Sequence, residues 1–243
     1  LMLHCDGYTL LIKYDLGDAP STCLLRLKPF LAFRGFHALK KQDDLFNRVI
    51  LKIKNGCKIQ PYPDIPPLCI GTDAQAQFFS SPHWYYNFEY PAERERGYDW
   101  REDLFCPGIL EVPIKNGQGV IVSVSLKVNP SPLKRKWQDE EKRREALKKE
   151  DEAIAGSFSE TDRDNIRQLL KAGRQFLIRT HDGRAAIIAG YHWFDDWGRD
   201  TLISLPGLTF CRGDFDEGIA ILEGIGRHER KGLLPNFFSP DGR

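Results

Sequence analysis

Along the first ~130 residues, apolar and polar positions alternate with a period of two. Val120, Val122, Val124, Leu126 and Val128 occupy one side of such a run, with Ile121, Ser123, Ser125 and Lys127 on the other. Trp84, Tyr86, Phe88 and Tyr90 alternate in the same way with Tyr85, Asn87 and Glu89. Shorter β-rich runs around Tyr8–Tyr14, Cys23–Leu27, Val49–Ile53 and Cys69–Phe79 are separated by Gly, Pro, Asn and Asp, the punctuation expected between strands. Pro61, Pro63, Pro66 and Pro67 cannot donate to a sheet ladder and mark a loop or an edge. The pattern predicts an antiparallel β-sandwich over residues 1–130.

The pattern then changes abruptly. From Lys134 to Glu152, fifteen of nineteen residues are charged, eight basic and seven acidic. Asp139–Arg143, Glu140–Arg144 and Glu145–Lys149 are acid-before-base pairs at i,i+4, the favourable order on a helix. This predicts a solvated linker helix within 131–157. Lys134-Arg135-Lys136 could serve as a nucleic-acid tag, but the interleaved acids favour an ordinary charged face.

The remainder, 158–243, reads as helical. Ser159 with Asp162 resembles a capping box, and Ile166, Leu169, Leu170, Gly173, Phe176 and Leu177 then trace one helical face through Ile178. After the apolar stretch Ala185–Ala189, a second helix is expected to begin after Asp200 and run to Cys211, bent at Pro206. Asp214-Phe215-Asp216-Glu217 opens a third, with Phe215, Ile219, Leu222 and Gly226 on one side and Lys231-Gly232 at its end.

Composition narrows the class. With 41% hydrophobic residues in 243, the chain can bury a sizeable core. The 35 basic and 34 acidic residues leave a net charge of +1, so no broad field draws nucleic acid or an anionic membrane, and a neutral partner fits better. No apolar run approaches the ~20 residues of a membrane span. The cysteines Cys5, Cys23, Cys57, Cys69, Cys106 and Cys211 form no C-x-x-C pair. They read as scattered reduced thiols, which points to the cytoplasm.

The densest chemistry lies in Gly190-Tyr191-His192-Trp193-Phe194-Asp195-Asp196-Trp197-Gly198-Arg199-Asp200-Thr201. Aromatic faces stack on the C–H faces of a pyranose, while carboxylates and a guanidinium accept from and donate to its hydroxyls. The same residues also suit a helix start, with Asp200 as N-cap, Arg199 paired with Asp196, and the aromatics packed between helices. A divalent metal on Asp195, Asp196 and Asp200 is disfavoured by the arginine among them.

The stretch from Ala189 to Leu208, with Trp197-Gly198-Arg199-Asp200-Thr201 at its centre, resembles the signature of bacterial and archaeal glycogen debranching enzymes, the amylo-α-1,6-glucosidase family. Gly213-Asp214-Phe215-Asp216-Glu217 and Gly232-Leu233-Leu234-Pro235-Asn236-Phe237 continue the likeness in register. Leu25 to Arg34, Trp84 to Tyr90, Arg96-Gly97-Tyr98-Asp99 and Glu102-Asp103-Leu104 resemble that family's N-terminal domain. The chain departs from the pattern at His192, where proline is expected, at Asp195, where a small residue is usual, and at Gly35, where aspartate is common.

The resemblance implies a β-sandwich joined by a helix to an (α/α)6 toroid, and inverting hydrolysis of α-1,6-linked glucosyl stubs on glycogen or limit dextrin. It places Arg199 and Asp200 on the glucose of the −1 subsite, with Trp193 and Trp197 as platforms and Asp196 among the binding residues. No cofactor or metal is implied. Twelve helices of ~12 residues with ~5-residue loops need roughly 200 residues, whereas 86 run from Phe158 to Arg243. The chain, which opens on Leu1, is therefore expected to be a fragment whose catalytic acid and base lie downstream and whose incomplete helical part self-associates. Another toroidal glycosidase or phosphorylase, and a non-catalytic glucan-binding protein, remain as rival readings.

Overall fold

The computed structural model describes residues 2–3, 8–15, 17, 22–35, 38–115, 119–127, 132–180, 182–191 and 194–238. The chain divides into two compact units, Leu1–Arg143 and Arg144–Arg243.

The first unit contains strands β1 (Met2–Leu3), β2 (Thr9–Asp15), β3 (Thr22–Leu27), β4 (Ile50–Ile53), β5 (Gly56–Ile59), β6 (Leu68–Thr72) and β7 (Gln77–Glu89). A short helix α1 (Pro91–Glu95), β8 (Arg101–Lys115) and β9 (Gly119–Ser125) follow. One antiparallel sheet runs β1-β2-β9-β6-β5-β4 and the other β3-β8-β7. Cys57, Ile59, Ile70, Val120 and Val122 of the first join Phe78, Leu110, Val112 and Ile114 of the second in one buried core. Val120 and Val122 share a face as the alternation predicts. Ile121, on the opposite face, is buried too, because Leu11 and the start of helix α2 (Leu133–Ala155) cover it through Leu133. Val128 lies outside the described residues.

Two features depart from the sequence reading. The fifteen-residue strand β8 was not visible in the pattern, since Pro107, Gly108 and Pro113 interrupt it. Gly108 has φ 144°, and a Cβ there would lie 2.1 Å from the Phe79 carbonyl oxygen, so a bulge carries the strand past its neighbour. The Trp84–Tyr90 alternation also breaks: the β7–β8 register shifts between Tyr85 and Phe88, leaving Trp84 buried and Tyr86 exposed.

Glu102, 1% exposed, ties the loop after β3 to this sheet. Arg34 donates through Nε to Oε2 at 2.9 Å and through Nη2 to Oε1 at 3.0 Å, while the Tyr90 hydroxyl donates to Oε1. Arg34 thus finds its carboxylate on β8, although glycine follows it in sequence. Neighbouring Asp103 accepts the Gln42 and Asn87 backbone amides at 3.0 and 2.9 Å. Burial pushes the Glu102 pKa upward, but the Arg34 and Tyr90 hydrogen bonds outweigh it and hold the carboxyl below its usual value.

The charged helix α2 is more than a solvated strut. Glu140 is buried against Arg143, and the unit boundary falls inside the helix. In the second unit Asp151 receives Arg174 at 2.8 Å and lies 3.7 Å from Arg212, while Glu152 pairs with Arg167 at 2.7 Å.

That unit continues with α3 (Arg163–Gly173), β10 (Leu177–Arg179), β11 (Ala185–Gly190), β12 (Phe194–Asp196), α4 (Gly198–Leu208) and α5 (Phe215–Gly226). The expected all-helical succession is corrected. The helical face traced to Ile178 stops at Gly173, and 177–196 form a three-stranded sheet β10-β11-β12. Ser159 bonds the Asp162 side chain and not a helix amide. Helix α5 buries Gly218, Ile221, Gly224 and Ile225. A Cβ at Gly218 would meet the Phe210 ring at 2.3 Å, so this small-residue side permits close packing. Phe215 and Ile219 are left 58% and 50% exposed. The described residues of this unit hold helices around a small sheet and do not by themselves trace a ring of helical hairpins.

Glu102→Gln should lower stability by about 3 kcal/mol, because it leaves the Arg34 guanidinium without its charge partner. A carboxyl held low in the folded state stabilises above its unfolded pKa, and that contribution is lost as pH falls through the folded value. Melting temperatures between pH 3 and 7 should therefore fall less steeply on acidification in Glu102→Gln than in wild type. Equal slopes would show that the pair contributes nothing.

Candidate functional site

The aromatic and acidic segment is a strand-to-helix junction. β11 pairs with β10 through Leu177↔Ile187 and with β12 through Ile188↔Asp196 and Gly190↔Phe194. His192 and Trp193, the latter expected as a platform, lie outside the described residues. From β12 the chain passes through Trp197 directly into α4. Leu205 of α4, Ala185 and Ile187 of β11, Ile221 and Ile225 of α5, and Phe238 form the core beneath. Thr201 fastens helix to strand, its hydroxyl donating to the Ile187 carbonyl at 3.3 Å.

Strand alternation sorts the carboxylates. Asp195 points outward and is exposed. Asp196, 8% exposed, turns inward and accepts from Arg184 Nη2, whose guanidinium also lies 4.5 Å from the Phe238 ring centre. The expected Arg199–Asp196 pair is therefore corrected: Asp196 is taken by Arg184. The sequence reading missed Arg184, whose signal was a lone arginine beside Asp182-Gly183 at the mouth of an apolar strand.

Helix α4 starts at Gly198, three residues earlier than expected, with Trp197 as its N-cap residue. Asp200 is thus the third helical residue and not the N-cap, and no side chain of the N-cap residue bonds the helix. Another segment supplies that function. The Asn236 carbonyl accepts the Gly198 amide at 3.0 Å, and Asn236 Oδ1 accepts the Arg199 amide at 2.9 Å. Trp197 and Phe237 form an antiparallel bridge, with ring centres 5.5 Å apart. Lys231 and Gly232, at φ 54° and 81°, make the tight turn that returns the chain to this junction, where Arg230 and Leu233 pair. They are a turn after α5 and not its C-terminus.

Arg199 and Asp200 are exposed. Among the described residues neither side chain has a hydrogen-bond or ion-pair partner, and the Asp200 contact that exists is its carbonyl accepting from Ser204 Oγ at 2.7 Å. The junction thus presents a guanidinium and a carboxylate beside half-buried Trp197, an arrangement suited to a polyhydroxylated neutral ligand.

Comparison with known families agrees in order along the chain. Residues 1–121 match the family model described as glycogen debranching enzyme N terminal, and residues 171–243 match that described as amylo-alpha-1,6-glucosidase. Both describe parts of glycoside hydrolases of one kind. The chain belongs to the glycogen debranching enzyme family. Its domains point to glycogen debranching or a related glucosidase activity, with glucan as substrate class. No curated protein and no solved structure matches the chain. Among the described residues, no helix is long and apolar enough to cross a membrane.

Asp196→Asn should lower stability by about 2–3 kcal/mol, since the Arg184 charge would remain buried without its counter-ion. Thermal melts with oligosaccharide titrations would check this. An unchanged melting temperature with weakened sugar binding would instead place Asp196 on the ligand.

Proposed function

We propose that the junction Trp197–Thr201 forms part of the −1 subsite of an inverting α-1,6-glucosidase acting on glucosyl stubs of glycogen or limit dextrin. The observation that carries this reading is the pair Arg199 and Asp200. Both are exposed, adjacent, and without side-chain partners among the described residues, inside the stretch matching the glucosidase family. The planar guanidinium donates to glucose hydroxyls and the carboxylate accepts from them. Trp197 and Trp193 offer apolar faces for the ring. Asp196 contributes by fixing the junction through Arg184.

Hydrolysis with inversion needs one carboxylic acid to protonate the departing oxygen and one carboxylate to activate water, ~6.5–9.5 Å apart. In this reading the junction supplies recognition, and the acid and base are not among its residues. The two proton transfers require no metal or organic cofactor. Residues 1–130 form the β-sandwich domain, 131–157 the linker helix, and 158–243 the opening of an (α/α)6 domain. The scattered thiols fit a cytoplasmic enzyme. No disulfide joins the described cysteines, and burial pushes Cys57 up to about 12.

Panose, with its terminal α-1,6-linked glucose, tests the recognition role. A hydrogen bond to a charged group contributes ~1.5–3 kcal/mol, so Asp200→Asn should weaken binding roughly ten- to hundredfold at an unchanged melting temperature. Arg199→Lys should do the same, because an ammonium cannot reproduce the guanidinium fork. Wild-type affinity in both variants would refute the subsite. Chain 1–243 alone should release no glucose at enzymatic rates, and turnover would place an acid and a base within it.

Exposed Leu169, Ile203, Phe215, Ile219 and Leu222 give the helical unit apolar surface that favours association. Sedimentation of 1–243 should show concentration-dependent self-association, and a monomer at every concentration would contradict this.

A further inference from the structure

We propose that Asn236 is a positioning residue for sugar recognition: by closing the N-terminus of α4 from a distant segment, it leaves the Arg199 and Asp200 side chains available to the glucan. The inference rests on the subsite reading and assigns a role to a residue 37 positions away in sequence.

A helix begins with backbone amides that lack intrahelical partners. They are ordinarily met by the side chain of the N-cap residue or by an acid in the first turn reaching back. Here the N-cap residue is Trp197, whose side chain has no oxygen to offer, and the acid in the first turn is Asp200. Without another acceptor, the Asp200 carboxylate would be the nearest group able to satisfy those amides. Asn236 removes that need by taking both of the first two, Gly198 through its carbonyl and Arg199 through its side chain. Its amide is neutral, so it adds no charge beside Asp200.

The approach is enforced sterically. A Cβ on Gly198 would lie 2.2 Å from the Pro235 carbonyl oxygen, so only glycine lets the Pro235-Asn236 segment reach the helix end. The Trp197–Phe237 bridge holds the register on either side. Residues 197–201 and 235–237 therefore form one rigid junction made of two segments.

The experiment uses chain 1–243 with the variants Asn236→Ala, Asn236→Asp and Gly198→Ala. Amide hydrogen exchange at Arg199 and panose affinity are read together. Asn236→Asp keeps an acceptor at the same position. Ile221→Val, in the core of the same unit, serves as a control for lowered stability alone. Asn236→Ala should raise the Arg199 exchange rate and weaken panose binding by about tenfold, the scale of a lost helix cap. Gly198→Ala should act in the same direction, Asn236→Asp should restore most of the protection, and Ile221→Val should leave affinity unchanged.

If Asn236→Ala keeps wild-type protection at Arg199, or binds panose within twofold of wild type while Arg199→Lys is impaired, the role given to Asn236 is wrong and the subsite reading stands. Equal affinity losses in Asn236→Ala and Ile221→Val would likewise reduce Asn236 to a stability residue. If Arg199→Lys and Asp200→Asn bind normally while the Arg199 amide loses protection in Asn236→Ala, the closure is supported and the subsite reading fails.

Discussion

The two hydrogen bonds from the start of α4 to Asn236 are the constraint on which the candidate site depends. A helix end must satisfy its first amides, and the partner chosen decides which side chains remain for a ligand. Because Asn236 serves as acceptor, the functional groups that follow Trp197 need not fold back onto their own helix. The glycine at 198 is part of the same arrangement, since the backbone of Pro235 occupies the place a side chain would take. Recognition chemistry at this junction therefore depends on the return of the chain after α5, through the turn at Lys231-Gly232.

Buried charge is handled similarly in both units. Glu102 and Asp103 of β8 anchor the segments around Arg34 and Gln42. Asp196 of β12 engages Arg184, and Asp151 of α2 engages Arg174 and Arg212. Asp103 takes the Gln42 and Asn87 amides, and in the other cases a carboxylate on regular structure meets an arginine from a different segment. A single truncated partner leaves an uncompensated charge, which makes such pairs more costly to break than to lack. They specify how irregular segments lie against the sheets and helices, while the apolar clusters supply the bulk of the burial.

Much of the β half was legible because strand alternation is a local property. The runs near Tyr8, Cys23 and Val49 became strands within one residue of the expected limits, whereas Cys69–Phe79 divides into β6 and the start of β7, which lie in different sheets. β8 was hidden by two prolines and a glycine, of which Pro107 and Gly108 lie at a bulge and Pro113 pairs in register with Leu24. In the second unit, periodicity misled where apolar residues are dense: Phe176 and Leu177 continue the helical face of α3 in sequence, yet the chain turns there into β10. The buried side of α5 gave little signal because Gly218 brings Phe210 close, and small residues carry no hydrophobic pattern. The candidate site was visible as a cluster of residue types, and Trp197, Arg199 and Asp200 lie together at the junction. Its supports were not visible, since Arg184 and Asn236 meet it through tertiary contacts that no local pattern encodes.

The account is tested most directly by mapping backbone amide shifts of chain 1–243 during titration with panose. Binding at the junction predicts the largest shifts at residues 197–201 and at Asn236 and Phe237, moving with a common saturation curve. Shifts confined to the β unit, or none at the junction at saturating panose, would contradict it.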